Sequence, residues 1–358
     1  MVDVGDYRYV ADIGALGHRR QGWQAARPIC AILAVGLAIA AAPAAADVPR
    51  DGLGFAVADD GGPATLNTQY FDRLRPQAFR FMVPWNAAYS PPAIARASSI
   101  ISTVRAHGVQ QIAVSFNHDG HRRSAPGPTE YTTAVEAFVR QFAGVVDAWG
   151  PANEPNCGGG WTALNRAAGA QLTSQYYNIL LFLIRSGADP TAMMLSPDFC
   201  DSYAAASVGP WMTAYQRGAP GGASGGFGDA IAWHPYWDLH YMGAGRVGPS
   251  QVSSTQDLID NVNAPDIPVW VTEAGAFGVN PGRGIQDDEA TQNEKLRWLV
   301  DSLAHESRVT RIYYYSMYGN PGGWDTGLLR AGGSRRPSWY TWCAESHGGD
   351  VSHPDCAS

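Results

Sequence analysis

Charged side chains make up only 16% of the 358 residues, and no long run of lysine or arginine follows the N-terminal region. Basic residues number 25 against 32 acidic ones, so the clustered positive charge that tracks a phosphate backbone is missing and no nucleic-acid partner is expected. No C-x-x-C pair occurs, which sets zinc behind disulfides as the use of the cysteines. The longest apolar run, Ile29 to Ala42, has 14 residues, short of the roughly 20 that span a membrane. The 41 glycines follow no triplet repeat, and 45% hydrophobic residues is too much for a disordered chain, so collagen-like and unfolded classes fall away.

That apolar run follows Arg19, Arg20 and Arg27 and exits through Pro43-Ala44-Ala45-Ala46. Basic stretch, short apolar stretch and small residues describe a secretory signal peptide over 1–46, cleaved after Ala46. An anchor that stays attached is the alternative. Arg19-Arg20 also leaves open a twin-arginine route or a start further downstream. The expected mature chain, 47–358, carries 21 basic and 29 acidic residues and four cysteines, Cys157, Cys200, Cys343 and Cys356. An even count in an exported protein, secreted or held in the cell envelope, points to disulfides, with three pairings available.

Eight short β-prone runs follow: Leu53 to Ala58, Ala78 to Val83, Gln111 to Phe116, Val145 to Trp149, Ala192 to Ser196, Ala230 to Trp233, Val269 to Thr272 and Arg311 to Ser316. Helical stretches lie between them, clearest at Ile94 to His107, Tyr131 to Phe142, Leu172 to Ser186, Ser254 to Val262 and Asp288 to His305. The Tyr131-Val135-Phe138-Val139-Phe142 spacing is helical, whereas the eight runs are too short for helices. Eight strands alternating with helices predict an α/β fold, a (β/α)8 TIM barrel in a single domain over 47–358. An open doubly wound sheet is the alternative. No linker, composition break or further repeat divides the region.

Two motif matches lack their structural context. Gly222-Ala223-Ser224-Gly225-Gly226 fits the G-x-S-x-G pattern but lies in a Gly-rich loop after a helix, where no nucleophile elbow forms. Gly243 to Gly248 fits G-x-G-x-x-G, yet Pro249 follows and no helix opens to receive a pyrophosphate. His118 and His121 have weak metal-ligand spacing; His118 reads as a polar contact. No metal and no cofactor are expected.

The informative pair is Glu154, in Asn153-Glu154-Pro155 after the fourth run, and Glu273, closing the seventh in Val269-Trp270-Val271-Thr272-Glu273. Residues at the C-terminal ends of barrel strands converge on one mouth, so these two can face each other although 119 positions apart. Paired carboxylates across a cleft are the equipment of glycoside hydrolysis.

Asn153-Glu154-Pro155 after strand four with Glu273 ending strand seven resembles the signature of the clan A retaining glycoside hydrolases, across essentially the whole mature chain. The resemblance implies Glu154 as acid/base, Glu273 as nucleophile and Asn153 on the sugar 2-hydroxyl. Arg80, in Phe79-Arg80-Phe81, matches the clan's arginine beside the nucleophile, and His234 and Tyr236, in Trp233-His234-Pro235-Tyr236, match its His-x-Tyr segment. Within the clan, Trp149 to Asn156, Gly323 to Leu329 and Arg336-Pro337 are most like family 39 and related bacterial polysaccharide hydrolases. The eighth run departs from the pattern. It lacks the tryptophan that floors the subsite in many members, so Trp324 or Tyr315 is expected there.

Trp85, Trp161, Trp233, Trp237, Tyr236 and Trp324, at or beyond strand ends, read together as stacking surface for sugar rings, with Asn117, His118 and Asp198 for the hydroxyls. Cys157 and Cys200 follow strands four and five on one face. Pairing them would brace the Glu154 loop, and Cys343 with Cys356 would pin the tail. The sequence thus predicts an exported, monomeric, cofactor-independent retaining glycosidase with a polysaccharide or oligosaccharide as its partner. The alternatives are an envelope-glycan transglycosylase on the same site and a non-catalytic carbohydrate-binding protein on a degenerate barrel.

Overall fold

Parallel strands covered on both faces need apolar residues at every position, and the short runs supply them. The computed structural model describes residues 54–357, apart from 60, 158–160, 202–204, 221–224, 242–253, 263, 282–283, 304–305 and 321. The expected signal peptide and the Gly243 to Gly248 match therefore lie outside the described residues, as does most of Gly222 to Gly226. The described residues cluster as one compact unit. No described helix is long and apolar enough to cross a membrane.

The strands are β1 (Gly54–Ala58), β2 (Ala78–Pro84), β3 (Gln111–Asn117), β4 (Ala148–Gly150), β5 (Met193–Met194), β6 (Phe199–Cys200), β7 (Ile231–His234), β8 (Val269–Ala274), β9 (Val279–Asn280), β10 (Ile285–Gln286) and β11 (Val309–Tyr315). Nine of them form one parallel sheet in the order β5-β4-β3-β2-β1-β11-β8-β7-β6. The small β9–β10 hairpin, which the sequence did not suggest, stands apart in the loop after β8.

The two ends of that order belong to one interrupted strand. Leu195 donates to the Trp149 carbonyl at 2.9 Å, and Ser196 donates to the Ala230 carbonyl at 3.0 Å. The segment from Met193 to Cys200 thus joins β4 on one side and β7 on the other, closing the (β/α)8 barrel. Pro197, with no N–H to give, falls at the break. The fifth strand therefore runs beyond Ser196, where the apolar run of the sequence ends.

Alternation sorts the strand residues into two layers. Outward residues such as Phe79, Phe81, Ile112, Val114, Trp149, Ile231 and Val271 meet the helices in the main core. The helix Pro128–Gln141, for example, buries Tyr131, Ala134, Val135, Phe138 and Val139 along one stripe. Inward residues are mostly alanines: Ala56, Ala58, Ala78, Ala113, Ala148, Ala230 and Ala232, plugged by Leu195, Trp270 and Tyr313. Two positions further along the same faces, alanine gives way to polar or minimal side chains. Ala78 leads to Arg80, Ala113 to Ser115, Ala148 to Gly150, Ala232 to His234 and Trp270 to Thr272. The barrel interior is thus apolar below and charged at the mouth.

Candidate active site

Glu273 faces the mouth because β8 carries a bulge. Ile312 pairs with Val271 but Tyr314 pairs with Ala274, so β8 holds one residue more than β11 over that interval. Thr272 and Glu273 consequently both present side chains inward, which strict alternation forbids. Gly275 follows at a point where a Cβ would collide with the Tyr315 carbonyl. Only glycine allows the two backbones to approach that closely.

Glu154 is placed by the loop after β4. Asn153 donates to the Phe116 carbonyl at 2.8 Å, and Glu154 donates to the Asp198 carbonyl at 2.9 Å. The Tyr131 hydroxyl holds the Pro151 carbonyl from below at 2.6 Å. Glu154 itself has φ 47°, one of two described non-glycine residues in the left-handed region.

The side chains meet around two buried cations. Arg80 reaches Glu273 Oε1 with Nη1 at 2.6 Å, while its Nη2 donates to Asn153 Oδ1 at 2.8 Å and to Asp198 Oδ2 at 2.9 Å. Its side chain is 1% exposed. Burial opposes the guanidinium charge, but the Asp198 and Glu273 carboxylates outweigh it and raise its pKa. With Oδ1 of Asn153 committed to Arg80, the amide NH2 is the group left for a ligand. The Tyr236 hydroxyl donates to Glu273 Oε2 at 3.0 Å, and burial, with Glu273 behind it, raises that hydroxyl's pKa well above 10.

His234 is the second cation. Its Nδ1 lies 3.1 Å from Glu154 Oε1 and 3.9 Å from Glu273 Oε2, and Nε2 faces Asp198 Oδ1 at 3.7 Å. Burial alone would discharge the ring, yet Glu273, Asp198 and Glu154 raise its pKa to about 9. Asp198 is the reciprocal case. Burial pushes its pKa up, and Arg80 and His234 pull it below the usual carboxylate range. Thr272 Oγ1 also donates to Asp198 Oδ1 at 2.7 Å.

These values set a pH window. A folded pKa near 9 against an ordinary 6.5 means that His234 stabilises the fold fully below pH 6.5 and loses that contribution as pH rises through about 9. Between pH 6 and 10 the Tm should fall more steeply in wild type than in His234→Gln. Parallel Tm curves would show that His234 carries no charge in the folded protein.

The structure thus brings together Arg80, Asn153, Glu154, His234, Tyr236 and Glu273 from four separate chain segments. Trp324 packs edge-on against Tyr236 at 4.9 Å and against Phe277 at 4.5 Å, half-buried at the rim. His118 keeps its ring contacts within its own loop: Nδ1 lies 2.9 Å from Gly120 N, and Nε2 lies 3.2 Å from Arg122 Nε. Disulfides join Cys157 to Cys200 and Cys343 to Cys356, with Cα separations of 6.2 and 5.6 Å. Asn156 doubles the first tie, exchanging hydrogen bonds with the Cys200 backbone at 2.8 and 3.0 Å.

Two expectations shift. Trp85, Trp161 and Trp233 are 7%, 0% and 1% exposed and belong to the main core, so they offer no stacking face to a sugar. Trp233, for instance, spends its indole N–H on Thr255 Oγ1 at 2.9 Å. Asp198 is fully buried beneath Arg80 and meets no hydroxyl from the cleft. The proline before it, breaking a strand-like run, was the one sequence signal that this aspartate is specially placed.

Among solved structures the chain is similar to a family 39 glycoside hydrolase from Bacteroides cellulosilyticus WH2, with a TM-score of 0.55 and 16% identity over 83% of this chain and 64% of that one. A β-glucosidase from Thermotoga maritima in complex with glucoimidazole gives a TM-score of 0.53 at 11% identity, covering 78% of this chain and 85% of the other. An endo-β-1,3-glucanase from Amycolatopsis mediterranei in complex with laminaritriose gives 0.50 at 17% identity, with 82% of this chain and all of that chain covered. The barrel is one that glycoside hydrolases share. No protein-family model matches the sequence, and no curated protein matches it. This chain spans about two-thirds of the length of the family 39 structure.

Proposed function

We propose that the protein is a retaining glycoside hydrolase of a polysaccharide or oligosaccharide, with Glu273 as nucleophile and Glu154 as acid/base. The observation that carries this reading is the approach of the two carboxylates. One ligand oxygen of each lies within 4.8 Å of the other and of a His234 nitrogen. Double displacement uses carboxyl groups roughly 5–5.5 Å apart, whereas inversion leaves room for a water and needs about 6.5–9.5 Å.

The surroundings divide the roles. Glu273 accepts hydrogen bonds from Arg80 and the Tyr236 hydroxyl, which hold its carboxylate in place to attack the anomeric carbon. As the C–O bond to the leaving group breaks, Glu154 delivers its proton to the departing oxygen and Glu273 becomes a glycosyl ester. Glu154, now a carboxylate, takes a proton from water. That water attacks the anomeric carbon and frees Glu273. Asn153 offers its NH2 to the sugar 2-hydroxyl. Two disulfides support export into an oxidising compartment, in line with the leader read from the sequence.

Proton NMR of the first-formed product tests the mechanism. Retention of anomeric configuration is expected, and inversion would overturn the assignment of Glu273. Glu154→Gln should slow hydrolysis of natural linkages by about 10²–10⁴-fold, while aryl glycosides with strongly acidic leaving groups lose far less. Equal losses on both substrates would remove Glu154 from the acid role.

A further inference from the structure

Three side chains at the C-terminal end of the chain, far from Glu154 and Glu273 in sequence, converge without a role in the proposed chemistry. His347 caps the end of the helix Pro337–Ser346, and His353 and Asp355 lie on the tail that follows. One ligand atom from each is within 4.8 Å of the others. His347 Nε2 lies 3.5 Å from Asp355 Oδ2, and His353 Nδ1 lies 3.8 Å from the same oxygen. The two imidazole rings are 3.9 Å apart.

The ring nitrogens are already sorted for ligation. His347 Nδ1 lies 2.9 Å from the Cys343 carbonyl oxygen, which can only accept, so Nδ1 carries the proton and the neutral ring presents Nε2 as a lone pair. His353 Nδ1 lies 3.3 Å from Asp355 N, a long contact that marks it as the unprotonated nitrogen of that ring and that a metal ion would displace. His347 Nε2 is shielded from solvent and makes no hydrogen bond, and the carboxylate oxygen it faces, Asp355 Oδ2, is held from its other side by Arg75. A buried ring nitrogen whose lone pair meets no donor is unfavourable, and a cation placed between it and the carboxylate would relieve that cost.

We propose that His347 Nε2, His353 Nδ1 and Asp355 Oδ2 form a binding site for a borderline divalent metal ion, of which zinc is the type. Two imidazoles and a carboxylate suit zinc, whose ligand bonds of about 2.0–2.1 Å require tetrahedral neighbours about 3.3 Å apart. The observed 3.5 and 3.8 Å reach that with shifts of a few tenths of an ångström. The carbonyls at the end of the helix add negative potential. Such an ion would clamp the tail to the helix beside the Cys343–Cys356 disulfide, making the site structural. Arg75 is the built-in competitor: its Nη2 lies 2.8 Å from Asp355 Oδ2 on a side chain that is 69% exposed and free to swing into solvent.

Calorimetric titration of zinc chloride into the chelator-treated, disulfide-intact protein tests this. One equivalent should bind, His353→Gln should weaken binding at least tenfold, and Arg75→Gln should tighten it. Zinc should also raise the Tm of wild type and leave that of His353→Gln unchanged. The Glu154, His234 and Glu273 cluster is the rival zinc site, so the titration is repeated with Glu154→Gln. Zinc binding that Glu154→Gln abolishes and His353→Gln leaves intact would overturn the proposal, as would no binding to wild type and Arg75→Gln alike. Tighter binding by Arg75→Gln cannot arise from misfolding, which keeps the test decisive if the histidine variant proves unstable.

Discussion

Replacing Glu273 with alanine is expected to lower kcat/KM on any cleavable substrate by on the order of 10⁴-fold or more, the scale on which loss of a covalent nucleophile acts. The fold should survive, because Arg80 keeps Asp198 as its counter-charge at 2.9 Å. Sodium azide added to this variant should restore turnover of an aryl glycoside. The anion enters the space that the carboxylate vacates, attacks the anomeric carbon from the same face and releases the aryl oxygen, leaving a glycosyl azide of inverted configuration. Rescue with that stereochemistry is specific to a missing nucleophile. Full activity in Glu273→Ala, on a substrate that wild type cleaves, would remove the site from consideration.

The second large effect is on stability. Arg80→Met should cost about 3–5 kcal/mol, the range for removing one partner from a buried ionic cluster. The cost arises from what stays behind. Asp198 and Glu273 would be two buried anions with only His234 to offset them, and Asn153 Oδ1 would lose its donor. Adding Asp198→Asn to Arg80→Met should recover part of the loss, since one stranded charge disappears. Arg80→Lys keeps the charge but cannot donate to Glu273, Asn153 and Asp198 from one planar fork, so it should fall between. Urea midpoints for the four proteins measure this. A loss under about 1 kcal/mol in Arg80→Met would mean that the cluster is not what holds the barrel mouth together.

Both predictions concern residues that could be found by reading the chain. Glu273 and Arg80 sit on strands whose apolar runs are unmistakable, because parallel strands buried on both faces have no polar face to disguise them. Glu154 was legible for the complementary reason: Asn153-Glu154-Pro155 interrupts the pattern where a strand should end. What could not be read depends on contacts between distant segments. The bulge that turns Glu273 inward exists only in the pairing of β8 with β11. The fifth strand hid its second half behind Pro197, since its partners β4 and β7 are remote in sequence. Trp161 and Trp233 looked like cleft aromatics at loop positions, yet the same side chains point back beneath the mouth into the helix layer. Side-chain direction is decided by packing, and composition does not carry it. The pairing of Cys157 with Cys200 was legible once a barrel was assumed, because loops after neighbouring strands share a face.

The backbone at Glu154 bears on how such a protein would drift if its chemistry were no longer under selection. A left-handed residue with a Cβ costs about 1–2 kcal/mol relative to glycine, and asparagine tolerates the region better than glutamate does. Mutation alone would therefore carry position 154 toward glycine or asparagine, a path along which a lineage retaining only sugar binding gains stability with each step. On the proposed mechanism a glutamate is kept against that gradient for its acid/base role, and among descendants of this barrel the identity of that one residue should separate those that cleave from those that merely hold.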